Sequence, residues 1–594
     1  MQEDPSGDIG LSSPLREPIE LESKLKSKNS RRAPPPAIDL GPSNASNWKT
    51  PSPASPTVLS PTSPTANSLS PASSSRASRS RTMPRLTSRL EHRLNRWILS
   101  VAVVDFDLDI GPVVAKLYPS IKLDAPDREN IAFSSFPDTT LFDTGTQTHS
   151  FKIRLSQPIQ TNSGELVREH GSLYGYASFL QRKDPTSKRG YLQRSVVFLT
   201  HLPWVGLFDK AISIFGPMFF AHGNAMLQSG CLNICSWPDP ILGSSIELGL
   251  LGSVIMTEVP RSNDEQQAVM SAKLQDTMTV ATLPSQPVLP LLVESLDKLW
   301  TLWECLVLCD PILVFAPSPS ISSTIVWWLR DLARPIPFAG DIRPYFHIHD
   351  RDFPLLITKN APRPGLIIGV TNPYFENVCK HWPHILSVGA SERVPRHSTA
   401  SRHSAALASQ TLGPTPGYHT NHNRYISKDR ALLKRLEAAI KEGPVAQLQM
   451  EMILRQHFAQ RSQQLLAPLN RYFSNLLPKP TNYSPSPSLH APSPAPSFNV
   501  LSPGSSVAPS PAVRPLTTSP APPSVVLSDV RVKPFNSKDF FASLKTHGAQ
   551  LPFRSASKQK EFYERWLKSP AFGAWISGRV DAAQNVLARA GTEK

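Results

Sequence analysis

The sequence predicts a mixed α/β and α+β protein of several lobes. An antiparallel α+β lobe is followed by an α/β lobe with a helical C-terminal part, and a long disordered tail and linkers interrupt them. Three observations carry this. The chain has 594 residues with 61 Pro, and Pro and Ser are concentrated in two stretches that supply too little apolar area for a core. Strand-like runs come one after another before the first helical pattern. From Leu291 onward, continuous apolar runs alternate with helical patterns, the rhythm of a largely parallel sheet.

Residues 1–95 form the first Ser/Pro-rich stretch, a basic tail. Ser-Pro recurs at Ser52, Ser55, Ser60, Ser63 and Ser70. Pro lacks an N–H and fixes φ, so the stretch is read as structureless. It is either a passive linker or a platform for proline-directed kinases, each phosphate adding up to about −2 charge.

Order is expected from Trp97. The run "WILSVAVVDFDLDIGPVVAKLYP" reads as a hairpin turning at "DLDIGP". "FKIRL", "LYGYASFLQRK" and "GYLQRSVVFLTHLP" give three more strands, and "PWVGLFDKAISIFGPMFF" has helical spacing. Together they make an α+β lobe over 97–225. The central lobe is placed at 226–387. There "LLVESLDKLWTLWECLVLC" reads as an amphipathic helix with Leu296, Leu299, Trp300, Trp303, Leu306 and Val307 on one face. "PILVFA" and "PGLIIGV" read as buried strands, and "TIVWWLRDLA" as a helix capped by the preceding serines. "TNPYFENVCKHW" turns into a further helix. A Ser/His/Thr-rich insertion at 388–420 leads to a helical pair within 421–477. A second Pro/Ser linker at 478–530 precedes an aromatic-rich helical block at 531–580.

Lys and Arg number 62 against 46 acidic residues, a net charge of +16. Much of the excess sits in the tail, in "KLKSK", "SRRAP" and "SRASRSRTMPR". No zinc-finger, RRM or homeodomain pattern accompanies it, so nucleic acid is not the expected partner. The tail reads as a solvated basic segment or as a weak contact for anionic lipid headgroups. The five cysteines, Cys231, Cys235, Cys305, Cys309 and Cys379, suit a reducing compartment and read as core residues. No apolar signal segment opens the chain and no run of about 18 apolar residues spans a membrane. A cytoplasmic or peripheral protein is expected.

The usual nucleotide and hydrolase signatures are missing: Gly-x4-Gly-Lys-Ser/Thr, Gly-x-Gly-x-x-Gly after a strand, Gly-x-Ser-x-Gly and His-Glu-x-x-His. No cofactor is expected. The stretch "PYFHIHD" raises a metal question, because on a strand His347 and His349 would share a face. Completion would fall to His381 and His384. Two satisfied polar histidines at a strand edge are the preferred reading.

Four stretches, "VVDFDLDIGPVVAKLYP", "WECLVLCDPILVFAPSPSISST", "DIRPYFHIHDRDF" and "LIIGVTNPYFENVCKHWPHIL", resemble the DENN-domain proteins, and within them the sixth DENN subfamily. "KRGYLQRSVVFLTHLP" and "WLKSPAFGAW" are similar to its further signatures, so the resemblance covers most of 97–580. That family carries Thr where this chain has His347, which argues against a required metal ligand. The resemblance implies an upstream longin-like lobe, a central α/β DENN lobe and a downstream helical part. It also implies guanine-nucleotide exchange on a Rab-type small GTPase, without covalent chemistry, at endosomal membranes.

In open α/β sheets, sites lie beyond the carboxyl ends of strands. That rule selects the loops Ser318–Ser322, Thr371–Phe375 and Asp341–Phe346. Within them Arg343, Tyr345, Phe346, Asn372, Phe375, Ser318 and Ser320 are the expected partner-binding residues. The same Pro and Tyr residues would also serve simply to shape turns and close a core. Two alternatives stay open: a GTPase-activating protein using Arg182, Arg189 or Arg194 as an arginine finger, and a non-catalytic scaffold.

Overall fold

Alternating side chains build the first lobe. In the computed structural model, residues 85–138, 144–159, 171–188, 190–259, 278–389, 413–478 and 532–592 are described. Strands β1 (Ser100–Asp107), β2 (Gly111–Tyr118), β3 (Gly145–Arg154), β4 (Ser172–Lys183) and β5 (Tyr191–Thr200) form an antiparallel sheet in the order β2-β1-β5-β4-β3. Successive residues of a strand face opposite ways, and both faces are buried. Val196 and Phe198 lie in the core shared with helix α3 (Val205–His222), whereas Val197 and Leu199 lie in the core shared with helix α2 (Ala125–Ser134). Phe198 meets Phe215 at 5.0 Å, and Gly216 lets α3 approach β4, where a Cβ would come within 2.2 Å of Ser178 Oγ.

Two helices here were not expected. Helix α1 (Ser88–Asn95) falls inside the segment read as a structureless tail, with Leu94 fully buried. Helix α2 escaped notice because its inward face is polar: Asp127 is buried and accepts bonds from the Ser156 N–H and hydroxyl. The rest of the tail, with its Ser-Pro sites, lies outside the described residues.

Helix α4 (Asn224–Ser236) follows, then a small sheet of β6 (Ser245–Leu250), β7 (Ser253–Glu258) and β8 (Met278–Val280) in that order. A 3-10 helix (Leu289–Lys298) leads into α5 (Leu299–Val307) and the second main sheet. Its elements in chain order are β9 (Ile312–Phe315), α6 (Pro319–Leu332), β10 (Asp341–Arg343), α7 (Phe353–Leu356), β11 (Leu366–Val370), α8 (Tyr374–Val378), β12 (His384–Ser387) and β13 (Gly417–Thr420). The order is β10-β11-β9-β12-β13, parallel except for the β12–β13 pair. Strands β9 and β11 are buried at every residue, as continuous apolar runs require. Helix α6 is capped by Ser318, whose side chain accepts from the Ile321 N–H.

Helices α9 (Arg430–Glu442), α10 (Pro444–Ser474), α11 (Ser537–His547), α12 (Ala556–Trp566) and α13 (Pro570–Thr592) complete the fold. They change the reading of α5, expected to be amphipathic but buried at all its residues. Its expected apolar face is covered by α10, where Trp300 donates to His457 at 3.2 Å and Trp303 to Ser462 at 3.2 Å, and its other face meets the segment before α9. Buried Glu304 accepts from the backbone N–H groups of Tyr425 and Ile426 and sits 2.8 Å from His422 Nε2.

The mixed α/β architecture, with one antiparallel and one mixed sheet, follows the expectation. Strand β13, however, belongs to the second sheet although it falls within the expected insertion, and α13 runs past residue 580. The remainder of that insertion, 390–412, and the second linker, 479–531, lie outside the described residues.

Candidate functional site

Strand β3 is an edge strand, and an edge exposes unpaired backbone groups that a protein must cover or leave for a partner. The second lobe covers half of it. Trp327 of α6 donates to Ser150 Oγ at 2.8 Å, and Lys152 reaches Asp341 at 2.5 Å. Beyond Lys152, Arg154 forks onto Asp352 with bonds of 3.0 and 2.6 Å, and Arg343 donates to the same carboxylate at 2.6 Å and to Asp341 at 2.9 Å. Burial raises the carboxyls of Asp341 and Asp352, but the surrounding cations outweigh it and hold both below their ordinary values. Asp350 has less help, and burial pushes it up to about 6.

A second set of bonds joins the strand-end loops to the end of α2. Tyr345 Oη donates to the Phe136 carbonyl at 3.1 Å and accepts from the Asp138 N–H at 2.8 Å. Thr371 Oγ1 donates to the Asp138 carbonyl at 3.0 Å, and Asn372 Nδ2 to the Asp138 carboxylate at 2.9 Å. Gly369 makes room for this segment: a Cβ there would fall 2.5 Å from the Pro344 carbonyl.

This geometry corrects part of the expected site. Arg343, Tyr345, Phe346 and Phe375 are 4%, 1%, 1% and 0% exposed and present nothing to a partner: Arg343 and Tyr345 close the junction of the lobes, and Phe346 and Phe375 lie in the second lobe's own core. Each is held by the polar seam or by the aromatic cluster of Phe346, Phe353 and Phe375. Asn372 is half-buried and bonded across the seam. Ser318 and Ser320, also half-buried, line an open groove instead.

That groove, of about 550 Å³, lies between the uncovered half of β3 and the start of α6. Thr146, Gln147 and Thr148 form one wall, Ser318, Ser320 and Ile321 the other, and Ser178, Ser213 and Pro217 the floor. Gln147 Nε2 and Ser178 Oγ are buried without a hydrogen-bond partner among the described residues. Two such donors in one groove are available to a polar ligand; other buried polar atoms without a partner among the described residues include Asp209 Oδ1 and Thr257 Oγ1. No local signal marks them, since "TQTHS" reads as an ordinary polar strand.

The histidine pair is not on a strand, which ends at Arg343, but both rings lie against Phe133 with centroids 6.4 Å apart. His347 is buried, its Nε2 3.0 Å from Ser134 Oγ, while His349 is exposed and packs on Phe133 at 4.5 Å. Burial lowers His347 to about 3 and His149 to about 4. Elsewhere Cys305, Asp310 and His384 come together. Cys305 Sγ faces Nδ1 of the His384 ring and Asp310 faces Nε2, and Asp310 is already bound by Arg565 at 2.9 and 3.0 Å. That is a hydrogen-bonded chain through one ring, not a chelate.

No family model matches the chain. It is 30% identical over 533 residues to Protein DENND6B of Mus musculus, covering 85% of this chain and 82% of that protein. It is 29% identical over 509 residues to Protein DENND6A of Mus musculus, covering 81% and 76%. Protein DENND6 homolog of Dictyostelium discoideum is 29% identical over 461 residues, covering 66% and 63%.

Proposed function

The chain belongs to the DENND6 family of DENN-domain proteins, and from that premise we propose that it is a guanine-nucleotide exchange factor promoting GDP release from a Rab GTPase in endosomal membrane trafficking. The antiparallel lobe is read as the longin-like upstream lobe, the mixed-sheet lobe as the DENN lobe, and α9–α13 as the downstream part. Cytoplasmic residence and a peripheral place on endosomes belong to the same reading, as does a contact between the basic tail and anionic lipid.

The observation that supports it best is the groove at the lobe junction. It offers an uncovered strand edge, two serines at a helix start and two unpaired buried polar groups. An extended segment of a GTPase switch can add to such an edge through main-chain hydrogen bonds. Binding that holds the switch away from nucleotide and Mg²⁺ weakens nucleotide binding by the same factor by which nucleotide weakens the complex. The rigid seam beneath the groove supplies the fixed platform.

The competing reading, a GTPase-activating protein, has Arg182 as its candidate. Arg194 is tied to Asp105 at 2.5 Å, and Arg189 lies outside the described residues. Arg182 is exposed, one position beyond the Gly145–Gln181 pair at the groove end of the sheet.

The reciprocity is testable at equilibrium. A complex with one nucleotide-free Rab should form on a column and dissociate when GDP and Mg²⁺ are added. A complex that forms equally well with GTP-loaded Rab and ignores GDP would instead indicate a scaffold or effector.

A further inference from the structure

We propose that α1 and the loop Pro238–Ser244 form a folded docking surface for the anionic face of a lipid bilayer. Ile241 and Leu242 would enter the headgroup layer, and Arg89 and Arg93 would lie against the headgroups. The proposal deepens the membrane reading of the basic tail and rests on it for the kind of surface the protein meets.

Ile241 and Leu242 are 65% and 61% exposed, two large apolar side chains side by side at the tip of a loop. The loop backbone is held from several sides. Gly243 N–H donates to the Val259 carbonyl at 2.9 Å, Ser244 Oγ to the Ile241 carbonyl at 2.6 Å, and Trp97 Nε1 to the Pro238 carbonyl at 3.2 Å. A fixed backbone displaying apolar side chains loses little freedom on inserting them.

The flank of this loop is cationic. Arg89, His92, Arg93 and Arg96 line one depression with Trp237, Pro238 and Asp239. Arg96 pairs with Asp239, two residues from Ile241. Cys235 lies 3.2 Å from the Leu90 carbonyl, which fixes α1 beside the loop. The acidic residue of α1, Glu91, is buried, so the outward side carries the arginines. Nearby carboxylates are Asp239, already paired, half-buried Glu258 on β7 opposite Ser245, and exposed Glu247 on β6.

The described chain also begins here. Arg85 is its first residue, and the sequence just before it carries Arg76, Arg79 and Arg81. Cations beside an apolar pair match the order of layers in a bilayer, acidic headgroups over acyl chains. Each Arg near such a surface is worth about fivefold in partitioning, and each buried large aliphatic side chain about tenfold or more.

The test uses full-length protein sedimented with phosphatidylcholine vesicles, with and without phosphatidylserine. Ile241→Asp/Leu242→Asp should lower partitioning to the phosphatidylserine vesicles about tenfold or more with an unchanged melting temperature. Arg89→Glu/Arg93→Glu should weaken it most at low salt. Arg430→Glu/Lys434→Glu makes the same charge change on another basic surface and should have little effect; an equal loss there would overturn the proposal. Loss through Arg76→Glu/Arg79→Glu/Arg81→Glu, with Ile241→Asp/Leu242→Asp binding normally, leaves the tail reading standing and sinks this one. Wild-type protein that ignores phosphatidylserine sinks both. As a second readout, Leu242→Cys takes an environment-sensitive dye, since all five native cysteines are buried. Its emission should rise and shift to the blue on phosphatidylserine vesicles, and an unchanged spectrum counts against insertion.

Discussion

Tyr345 of the second lobe accepts a hydrogen bond from the Asp138 backbone N–H of the first lobe at 2.8 Å, with its ring 1% exposed. With the Arg154–Asp352–Arg343 fork on the same junction, this makes the two lobes one platform.

Tyr345→Phe should therefore cost about 1–3 kcal/mol, because it leaves the Asp138 N–H and the Phe136 carbonyl short of a partner. Arg343→Ala should cost about 3–5 kcal/mol, since it strips a cation from two buried or half-buried carboxylates. Denaturant melts check both. Either variant keeping wild-type stability while losing partner binding would make it a surface anchor after all.

His347 gives the seam a pH signature. Its folded pKa, about 3, lies below the ordinary 6.5, so between those values the unfolded chain binds the extra proton. Its contribution is complete above pH 6.5 and is lost as pH falls toward 3. Between pH 7 and 4.5, wild type should lose about 2 kcal/mol more than His347→Asn. Asp350, raised to about 6, acts with the opposite sign: Asp350→Asn should lose more stability than wild type over the same fall. Parallel curves for wild type and His347→Asn would refute the assignment.

How much of this was legible in the sequence depends on who supplies a residue's neighbours. The strands of the first sheet and β9 and β11 of the second were readable, since alternation in β1 and unbroken apolar runs in β9 and β11 are local signals; β12, beside a stretch read as helix, and β13, inside the expected insertion, were not. Helix α2 was not, because its buried positions include Asp127 and Asn130, whose partners Ser156 and Asp350 lie far along the chain. Helix α5 read as amphipathic because residues 422–426, which meet Glu304 on its second face, come much later. The strand-end rule selects loops that the structure divides between the junction and the groove. It could not tell Tyr345, swallowed by the junction, from Ser318 and Ser320, left in the groove, because that depends on where β3 lies.

Glu304 should prove the main tie between α5 and the segment leading to α9. Its carboxylate accepts from two buried backbone N–H groups and faces His422. Glu304→Ala should cost about 3–5 kcal/mol, the sum of those orphaned groups. Limited proteolysis should then cut near residues 420–428 first. Unchanged cleavage and melting would mean that α9–α13 are held by apolar packing alone.

The groove should behave as a surface. Ser320→Trp fills it from a half-buried position at the start of α6, so stability should move by no more than about 0.5 kcal/mol. Binding of nucleotide-free Rab should fall about thirtyfold, the loss of one dominant contact. Binding as tight as wild type would place the partner elsewhere on the molecule.

The exchange claim is tested most directly by release of fluorescent GDP from a panel of purified Rab proteins, with wild type, Ser320→Trp and Arg182→Ala side by side, and single-turnover GTP hydrolysis measured on the same panel. Wild type should accelerate release from one Rab or a few, Ser320→Trp should not, and Arg182→Ala should match wild type with hydrolysis unchanged throughout. Release no faster than the spontaneous rate across the panel, with hydrolysis accelerated in an Arg182-dependent way, would contradict the account.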